Sequence, residues 1–287
     1  MTLIRKRNLR YLRNLRLDNL TMSRLVGIIF LATLLAACTN TGTQLAEFPE
    51  RKVNVNGTER GYRVYVPFDR DPNVKLPVLL YLHGSGARGS ENREQAWAFA
   101  AATDPVREKM NFIVVLPQCR GSSFWAAKDM VEYTLAALDS SIAEFNGDPS
   151  RVYIAGFSLG GYGAWNIAAA KMGKFAAVVP IAGGIVGERP IEPRDREAID
   201  PRVLPLLDSA DPYEAFAIAL GQTPVWAFHG AKDESVPVDF TRKMVKALEK
   251  NGSKNVKYTE YPDDGHMIMI KAFSEPGFIE WLGEQHK

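Results

Sequence analysis

Cysteine is almost missing from this sequence, with Cys38 and Cys119 as its two examples among 287 residues. Because only Cys119 follows Cys38, we expect no disulfide in the mature chain, and a zinc site built on cysteines is excluded. Cys119 comes just after the apolar run at residues 112–116. A thiol in such a place is more often a buried small hydrophobe than a reactive group, so we expect no cysteine chemistry.

The sequence also lacks a marked excess of charge of either sign. Its formal net charge is +2, and the first 24 residues hold seven cations and one acid. The remainder therefore has 28 Lys and Arg against 32 Asp and Glu, which makes it mildly acidic. Such a balance gives no basic surface for nucleic acid, so we expect no nucleic-acid partner.

No apolar run looks long enough to span a bilayer comfortably. The apolar segment Leu25–Ala37 is short, follows a basic stretch and ends in small residues. These are the features of a secretory signal peptide, which we predict for residues 1–37. Met22 makes a more typical start for such a leader than Met1, so both remain open as the true start.

The four residues Leu35-Ala36-Ala37-Cys38 resemble the lipobox of bacterial lipoproteins, in which the signal is cut before a cysteine that becomes lipidated. The resemblance implies a lipid anchor on Cys38, and Thr39 in place of an aspartate implies transfer to the outer membrane. We therefore expect a protein of the bacterial cell envelope, with a tether at 38–50 and a domain at 51–287. An ordinary signal peptide or an uncleaved anchor with an incidental cysteine is the alternative.

Runs of strand length alternate with helical patterns along the rest of the chain. The predicted strands are Pro77–Leu82, Asn111–Leu116, Val152–Ala155, Phe175–Ile181, Pro224–Phe228 and Asn255–Tyr261. The predicted helices are Glu94–Ala102, Met130–Phe145, Tyr162–Lys171, Tyr213–Leu220, Val238–Asn251 and Pro276–Leu282. This alternation predicts one α/β domain, a mostly parallel sheet with helices on both faces.

Two further segments complete the predicted domain. A hairpin with its turn at Asn56-Gly57 precedes the parallel strands, because this dipeptide favours a tight turn. The proline-rich region Ile185–Gln222 is irregular, and we interpret it as an insertion over the carboxyl edge of the sheet. Whether this insertion moves as a lid is left open.

A G-x-S-x-G pattern occupies Gly156–Gly160, between a predicted strand and a predicted helix. The pattern alone is weak, but this context is typical of a nucleophile elbow. Gly156 and Gly160 would leave room for strand and helix to pass close together. Ser158 would then present its hydroxyl at a helix N-terminus, where the free N–H groups favour a developing negative charge.

A serine nucleophile needs a base, and the base needs an orienting acid. In folds with this elbow the partners follow in the order Ser, Asp or Glu, His, each at a strand end. Asp233 and His266 follow the last two predicted strands, so we expect a triad of Ser158, Asp233 and His266. Three other acids compete with Asp233: Glu234, Asp263 and Asp264.

The other histidines fit a structural role better. His83 and His229 each precede a glycine at a predicted strand end, where imidazoles often serve as hydrogen-bonding groups, and His286 lies in the terminal tail. Their positions relative to Ser158 do not match that of a base in this fold.

Backbone N–H groups must stabilise the negative charge on the tetrahedral intermediate. We expect one such donor at Leu159, directly after the nucleophile. The second should come from the loop after the first buried strand, with Ser85 expected and Gly84 as the alternative.

The chain from about Gly61 to Trp281 resembles an α/β-hydrolase. It is similar to bacterial esterases identified as predicted peptidases, phospholipase/carboxylesterases or dienelactone-hydrolase-like proteins, through LPVLLYLHGSGARGSEN, VLPQCRGSSFW, RVYIAGFSLGGYGAW, VWAFHGAKDESVPV and VKYTEYPDDGHMIM. The resemblance implies Ser158 as nucleophile, Asp233 as acid and His266 as base. Dienelactone hydrolases proper have cysteine at the elbow, so the serine here makes that reaction unexpected.

The function predicted from the sequence is a serine esterase that needs neither cofactor nor metal. The substrate would be a small-molecule or polysaccharide-linked ester; the oligomeric state is open. Trp125 and Gln118 are candidate substrate contacts, with packing of a long loop as the equal alternative, and Met267 makes the surroundings of the base apolar. A serine peptidase and a catalytically silent binding lipoprotein are the rival functions. A prolyl oligopeptidase would carry a propeller domain ahead of this core, and none is expected here.

Overall fold

The computed structural model of this chain describes residues 46–185 and 192–287. The predicted leader at 1–37, the lipidation site Cys38 and most of the predicted tether lie outside the described residues, so the lipid anchor stays a prediction. In the two described ranges, no helix combines the length and apolar character that a membrane crossing requires.

One eight-stranded mixed sheet organises the described residues, in the spatial order β1-β2-β4-β3-β5-β6-β7-β8. The strands are β1 Glu50–Val55, β2 Thr58–Tyr65, β3 Leu76–Leu82, β4 Ile113–Pro117, β5 Gly147–Phe157, β6 Ala177–Ile181, β7 Val225–Gly230 and β8 Val256–Tyr261. The strands from β3 to β8 pair in parallel, whereas β1 and β2 form an antiparallel extension beside β4. The predicted fold class is thereby confirmed.

Helices connect these strands. They are α1 Glu94–Thr103, α2 Lys128–Glu144, α3 Leu159–Ala170, α4 Pro193–Ala198, α5 Leu204–Leu207, α6 Pro212–Leu220, α7 Val238–Lys250, α8 Met269–Phe273 and α9 Phe278–Glu284. Two short 3₁₀ helices lie at Ser85–Ala87 and Arg107–Lys109. Of these elements, α4, α5 and α8 were not predicted from the sequence, because each is only four to six residues long.

The helices cover both faces of the sheet, as the alternation of side chains in β3 shows. Val78 and Leu80 belong to the main core cluster, which also contains Leu138 of α2 and Trp165 of α3. Tyr81 points the opposite way and packs against rings of α1 and α8, with ring centroids 4.9 and 5.9 Å away. Because successive strand residues alternate between faces, an apolar run such as β3 is buried on both sides.

The hairpin turn lies at Asn56 and Gly57, as predicted. Both residues have positive φ, 51° and 81°, the left-handed region that a tight hairpin turn of this type requires. The register Val55↔Thr58 leaves only these two residues in the loop.

The described part of the insertion, residues 192–222, packs on the domain. Phe216 and Leu220 of α6 and Val203 before α5 are buried in the main core cluster. The N–H of Asp200 donates to the carbonyl of Ala126 at 2.9 Å, which ties the insertion to the loop after β4.

A bidentate ion pair joins α7 to the edge strand β8, and it leads to a prediction about acid stability. Arg242 Nη2 and Nε donate to Glu260 Oε1 and Oε2 at 2.6 and 2.9 Å. The hydrogen bonds from Arg242 lower the pKa of Glu260 from 4.5 to about 2. Since the folded state holds the carboxyl's pKa below its unfolded value, this stabilisation is complete above pH 4.5 and is lost as the pH falls to about 2.

We expect Glu260→Gln to lower the free energy of unfolding by about 1 kcal/mol at pH 7, since both side chains are partly exposed. The difference from wild type should vanish near pH 2. Asp239→Asn removes a more exposed partner of the same arginine and should cost less than about 0.5 kcal/mol. Urea titrations at several pH values measure both effects. If the difference in unfolding free energy between Glu260→Gln and wild type did not depend on pH, the stabilisation could not come from the ionised carboxylate of Glu260.

Candidate active site

Ser158 lies between the last residue of β5 and the first residue of α3, in the strand–turn–helix context predicted for an elbow. Its backbone has φ 55° and ψ −117°, a region that residues other than glycine rarely adopt. Its N–H donates to the carbonyl of Ile181 at 2.9 Å, which fixes this turn to β6. Strain held in place by neighbouring strands is typical of functional sites.

The glycines on either side of Ser158 are required by close backbone contacts. A Cβ on Gly156 would overlap the carbonyl of Gly160, and a Cβ on Gly160 would overlap the carbonyl oxygen of Leu82 at the end of β3. Residue 161 is also glycine, where a Cβ would lie 2.7 Å from the carbonyl oxygen of Ile181. The motif therefore lets α3 begin directly against the ends of three strands.

The structure brings Ser158, His266 and Asp233 together. His266 Nε2 lies 2.8 Å from Ser158 Oγ, and His266 Nδ1 lies 2.7 Å from Asp233 Oδ2. The carboxylate of Asp233 is fully buried, whereas 18 % of the His266 side chain is exposed. A substrate can therefore approach the serine side of the imidazole while the acid stays out of water.

Two loops that carry the base and the acid are tied to each other. The N–H groups of Ala231 and Lys232 donate to the carbonyls of Tyr261 and Asp264, each at 2.9 Å. The carboxylate of Asp233 also accepts the N–H groups of Ser235 and Val236 at Oδ1, both at 2.8 Å. These backbone donors leave Oδ2 for His266.

The competing acids are directed elsewhere. Asp263 pairs with Lys232 at 2.8 Å, and Asp264 pairs with Lys271 at 2.5 Å. Glu234 is exposed on the surface. The geometry therefore favours Asp233 over Glu234, Asp263 and Asp264 as the partner of the base.

Two predicted oxyanion donors have free N–H groups. Within residues 46–185 and 192–287, neither the N–H of Leu159 nor that of Ser85 has an acceptor. Leu159 opens α3 and Ser85 opens a 3₁₀ helix, and the first N–H groups of a helix have no partner inside it. Gly84, the alternative donor, precedes Ser85 in an extended conformation with ψ 173°.

His83 holds the loop that carries Ser85. Its ring is fully buried, Nδ1 lies 2.7 Å from the carbonyl oxygen of Gly84, and Nε2 accepts the N–H of Cys119 at 2.9 Å. Burial lowers the pKa of His83 to about 4, so the ring stays neutral at neutral pH with its proton on Nδ1. The structural role predicted for this histidine fits these contacts.

Trp125 and Gln118 lie inside the fold, and here the packing alternative is the better account. Trp125 is 1 % exposed and its indole N–H donates to the carbonyl of His83 at 3.0 Å. The amide of Gln118 is used twice, accepting the N–H of Asn92 at 2.6 Å and donating to the carbonyl of Ala87 at 3.1 Å. These contacts favour the packing alternative for both residues, and a role in substrate binding stays an untested prediction.

One apolar ring packs against the base, since the ring of Phe157 lies 5.0 Å from that of His266. Met267, which directly follows His266, and Ile270 are 78 % and 53 % exposed. The expectation that Met267 makes the surroundings of the base apolar stays a prediction. No described residues form a group of three or more His, Cys, Asp or Glu that could hold a metal ion.

A comparison with protein families decides the membership of the chain. Residues 82–276 match the model of the prolyl oligopeptidase family, a span that contains Ser158, Asp233 and His266. The chain belongs to the prolyl oligopeptidase family. The structure of this family member is also similar to the crystal structure of a thermostable esterase, with TM-score 0.65, 29 % identity, and coverage of 85 % of this chain and 64 % of that one.

Two curated relatives of this prolyl oligopeptidase family member match parts of the chain. An uncharacterized secreted protein of Arthroderma benhamiae is 27 % identical over 69 % of the chain and 22 % of its own length. The bifunctional acetylxylan esterase/xylanase XynS20E of Neocallimastix patriciarum is 31 % identical over 44 % of the chain and 18 % of its own length. The chain thus spans about a fifth of each relative. The family match and the similar esterase structure identify an α/β-hydrolase fold.

One histidine outside the predicted triad also lies at the site. His229 was expected to have a structural, hydrogen-bonding role, and its Nε2 lies 3.2 Å from Asp233 Oδ2. The sequence contains a signal for this contact, because His229 and Asp233 are four residues apart at the end of β7, close enough for the loop to bring them together.

Proposed function

We propose that this chain is a serine hydrolase that cleaves carboxylic esters through an acyl-enzyme. The observation that carries the proposal is the continuous chain of hydrogen-bonding contacts Ser158 Oγ to His266 Nε2 at 2.8 Å and His266 Nδ1 to Asp233 Oδ2 at 2.7 Å. These three groups have the mutual geometry and the strand-end positions of a nucleophile, a base and an orienting acid.

In the proposed reaction, Ser158 Oγ attacks the ester carbonyl carbon while His266 Nε2 takes the hydroxyl proton. The carbonyl oxygen becomes an oxyanion that accepts the N–H groups of Leu159 and Ser85. His266 then gives its proton to the leaving alcohol as the carbon–oxygen bond breaks, which leaves an acyl-Ser158. Water repeats the sequence, releases the carboxylic acid and restores the serine. Asp233 holds the imidazole with Nε2 directed at Ser158 throughout.

The substrate we propose is a small or polysaccharide-linked ester. Its support is the esterase named in the similar crystal structure and the acetylxylan esterase activity in the name of a relative. The ring of Phe157 against the base, and the exposed apolar side chain of Met267, which directly follows His266, suit an uncharged acyl or alcohol group.

The test is a substrate panel on the purified full chain. We expect hydrolysis of p-nitrophenyl esters, with acyl length varied, at rates far above those of aminoacyl-nitroanilides. We also expect a fluorophosphonate probe to label Ser158. Preferred cleavage of the anilides would make the chain a peptidase, and absence of both labelling and turnover would make it a silent binding protein.

The proposed oxyanion donor at Ser85 can be removed with little change of backbone. Gly84 is extended, with φ −73° and ψ 173°, as the residue before a proline prefers, and proline is tolerated at the first position of a helix. We expect Ser85→Pro to lower kcat by about 10²-fold because one backbone N–H is lost. Ser85→Ala keeps the N–H and is the matched control, with kcat close to wild type. Equal kcat in both variants would transfer the role to Gly84.

A further inference from the structure

A second histidine meets the acid of the site. His229 is the fifth residue of β7 and is fully buried, as is the carboxylate of Asp233. His229 Nε2 lies 3.2 Å from Asp233 Oδ2 and 3.0 Å from the carbonyl oxygen of Val236. His266 Nδ1 reaches the same carboxylate oxygen at 2.7 Å. Two imidazoles therefore converge on one oxygen.

The contacts of His229 determine where its proton is. Nε2 faces only the oxygens of Val236 and Asp233, which can accept but not donate. Nδ1 lies 2.7 Å from the hydroxyl oxygen of Thr241, which also lies 3.0 Å from the carbonyl oxygen of Gly183 and can turn its single proton to either partner. A ring without hydrogen on Nε2 would direct a lone pair at two acceptors. The neutral ring must therefore carry its hydrogen on Nε2 and accept at Nδ1 from Thr241.

The charged neighbours of His229 do not provide another role for it. Besides Asp233 and His266, the group that faces it is Glu260, its register partner on β8. Glu260 is held by Arg242 of α7, which lowers the pKa of that carboxyl to about 2, so it stays ionised at ordinary pH. Burial lowers the pKa of His229 itself, which keeps the ring neutral.

We propose that His229 is a positioning residue, whose Nε2–H holds the Asp233 carboxylate in the orientation that His266 requires. The proposal rests on the proposed function. Oδ1 is fixed by the N–H groups of Ser235 and Val236, whereas Oδ2 has His229 Nε2 at 3.2 Å, and the same nitrogen lies 3.0 Å from the carbonyl oxygen of Val236. Without the Nε2–H the carboxylate can turn about its Cβ–Cγ bond, and the orientation of His266 toward Ser158 becomes less defined.

Losing this donor also changes the chemistry of the pair. A carboxylate with fewer hydrogen-bond donors is more basic, and a more basic carboxylate stabilises the imidazolium form of His266 more strongly. The apparent pKa that governs the acid limb of kcat/KM should therefore rise. A residue that only supported the fold would leave this pKa unchanged.

Two amide substitutions separate the two nitrogens of the ring. The amide of His229→Asn can replace only Nδ1, the contact with Thr241, whereas the longer amide of His229→Gln can place a donor near Nε2. We expect H229N to lower kcat about tenfold while KM changes less than twofold. We also expect it to raise the apparent pKa of the acid limb of kcat/KM by about 0.5 pH unit. H229Q should recover kcat to within about threefold of wild type. His286→Asn makes the same substitution at an exposed histidine of the C-terminal region and should leave both kcat and the pH profile unchanged.

An unchanged kcat and an unchanged apparent pKa of the acid limb in folded H229N, or the same changes in His286→Asn, would overturn the proposal. A second measurement needs no variant and no turnover. In ¹⁵N-histidine NMR spectra of the wild-type chain, we expect His229 as the Nε2–H form, and an Nδ1–H form would equally overturn it. If the wild type neither hydrolyses esters nor reacts with fluorophosphonate, the proposed function fails, while the NMR result still decides whether His229 carries the hydrogen on Nε2 that the positioning role requires.

Discussion

Replacing Ser158 with alanine should lower kcat/KM for ester hydrolysis by about 10⁵-fold. The substitution removes the atom that bonds to the carbonyl carbon, and the oxyanion donors of Leu159 and Ser85 can contribute only the small rate enhancement that remains. The fold should be unaffected, because the Ser158 contact that holds the turn is its backbone N–H to Ile181. Steady-state kinetics and a melting curve of the same preparation measure the two effects.

A matched control for this variant is Ser123→Ala, which removes another serine hydroxyl from a loop near the site, where Ser123 is 8 % exposed. We expect its kcat/KM to stay within about threefold of wild type. If Ser158→Ala retained wild-type turnover in protein free of contaminating esterase, both the nucleophile and the acyl-enzyme would have to be abandoned.

Replacing Gly160 with alanine should have the largest effect on stability. The added Cβ would overlap the carbonyl oxygen of Leu82 and lie 2.9 Å from that of His83. Both contacts are backbone, at the point where α3 starts beside β3, so neither can move without separating the helix from the sheet. We expect a loss of at least about 3 kcal/mol in the free energy of unfolding, enough to leave much of the chain unfolded.

Gly121→Ala is the control for the Gly160 variant, because a Cβ at Gly121 meets no atom within 4 Å. Its free energy of unfolding should change by less than about 0.5 kcal/mol. Denaturant titration of both variants distinguishes an overlap at one glycine from a general cost of replacing glycine. A Gly160→Ala protein as stable as Gly121→Ala would show that the start of α3 can shift.

Much of this arrangement could be predicted from the sequence, because the relevant signals are local. The alternation of apolar runs with helical patterns placed β3 to β8 at nearly their observed positions. The G-x-S-x-G pattern is informative because glycine is the residue that permits the overlap-free contacts around Ser158. The order of Ser158, Asp233 and His266 along the chain follows from the order of the strands that present them.

What could not be predicted depends on contacts between distant segments. An indole and an amide on a long loop suggested substrate contacts, but Trp125 is satisfied by a carbonyl 42 residues away. The donor from His229 to Asp233 exists because the loop after β7 folds back on its own strand. The spacing of apolar residues in the sequence does not predict how this loop folds. It also does not predict the short helix α8, which packs Phe273 against Tyr81.

The position of His266 after an edge strand sets the order in which the site is completed and lost. Ser158 and His266 are 108 residues apart, and β8 is the last strand of the chain, with its side chains exposed or only half-buried. A growing chain that already holds the nucleophile therefore has no base until the segment with β8 and His266 docks. The same edge can detach while the central strands remain paired, so heating should inactivate the hydrolase at a lower temperature than it melts the core.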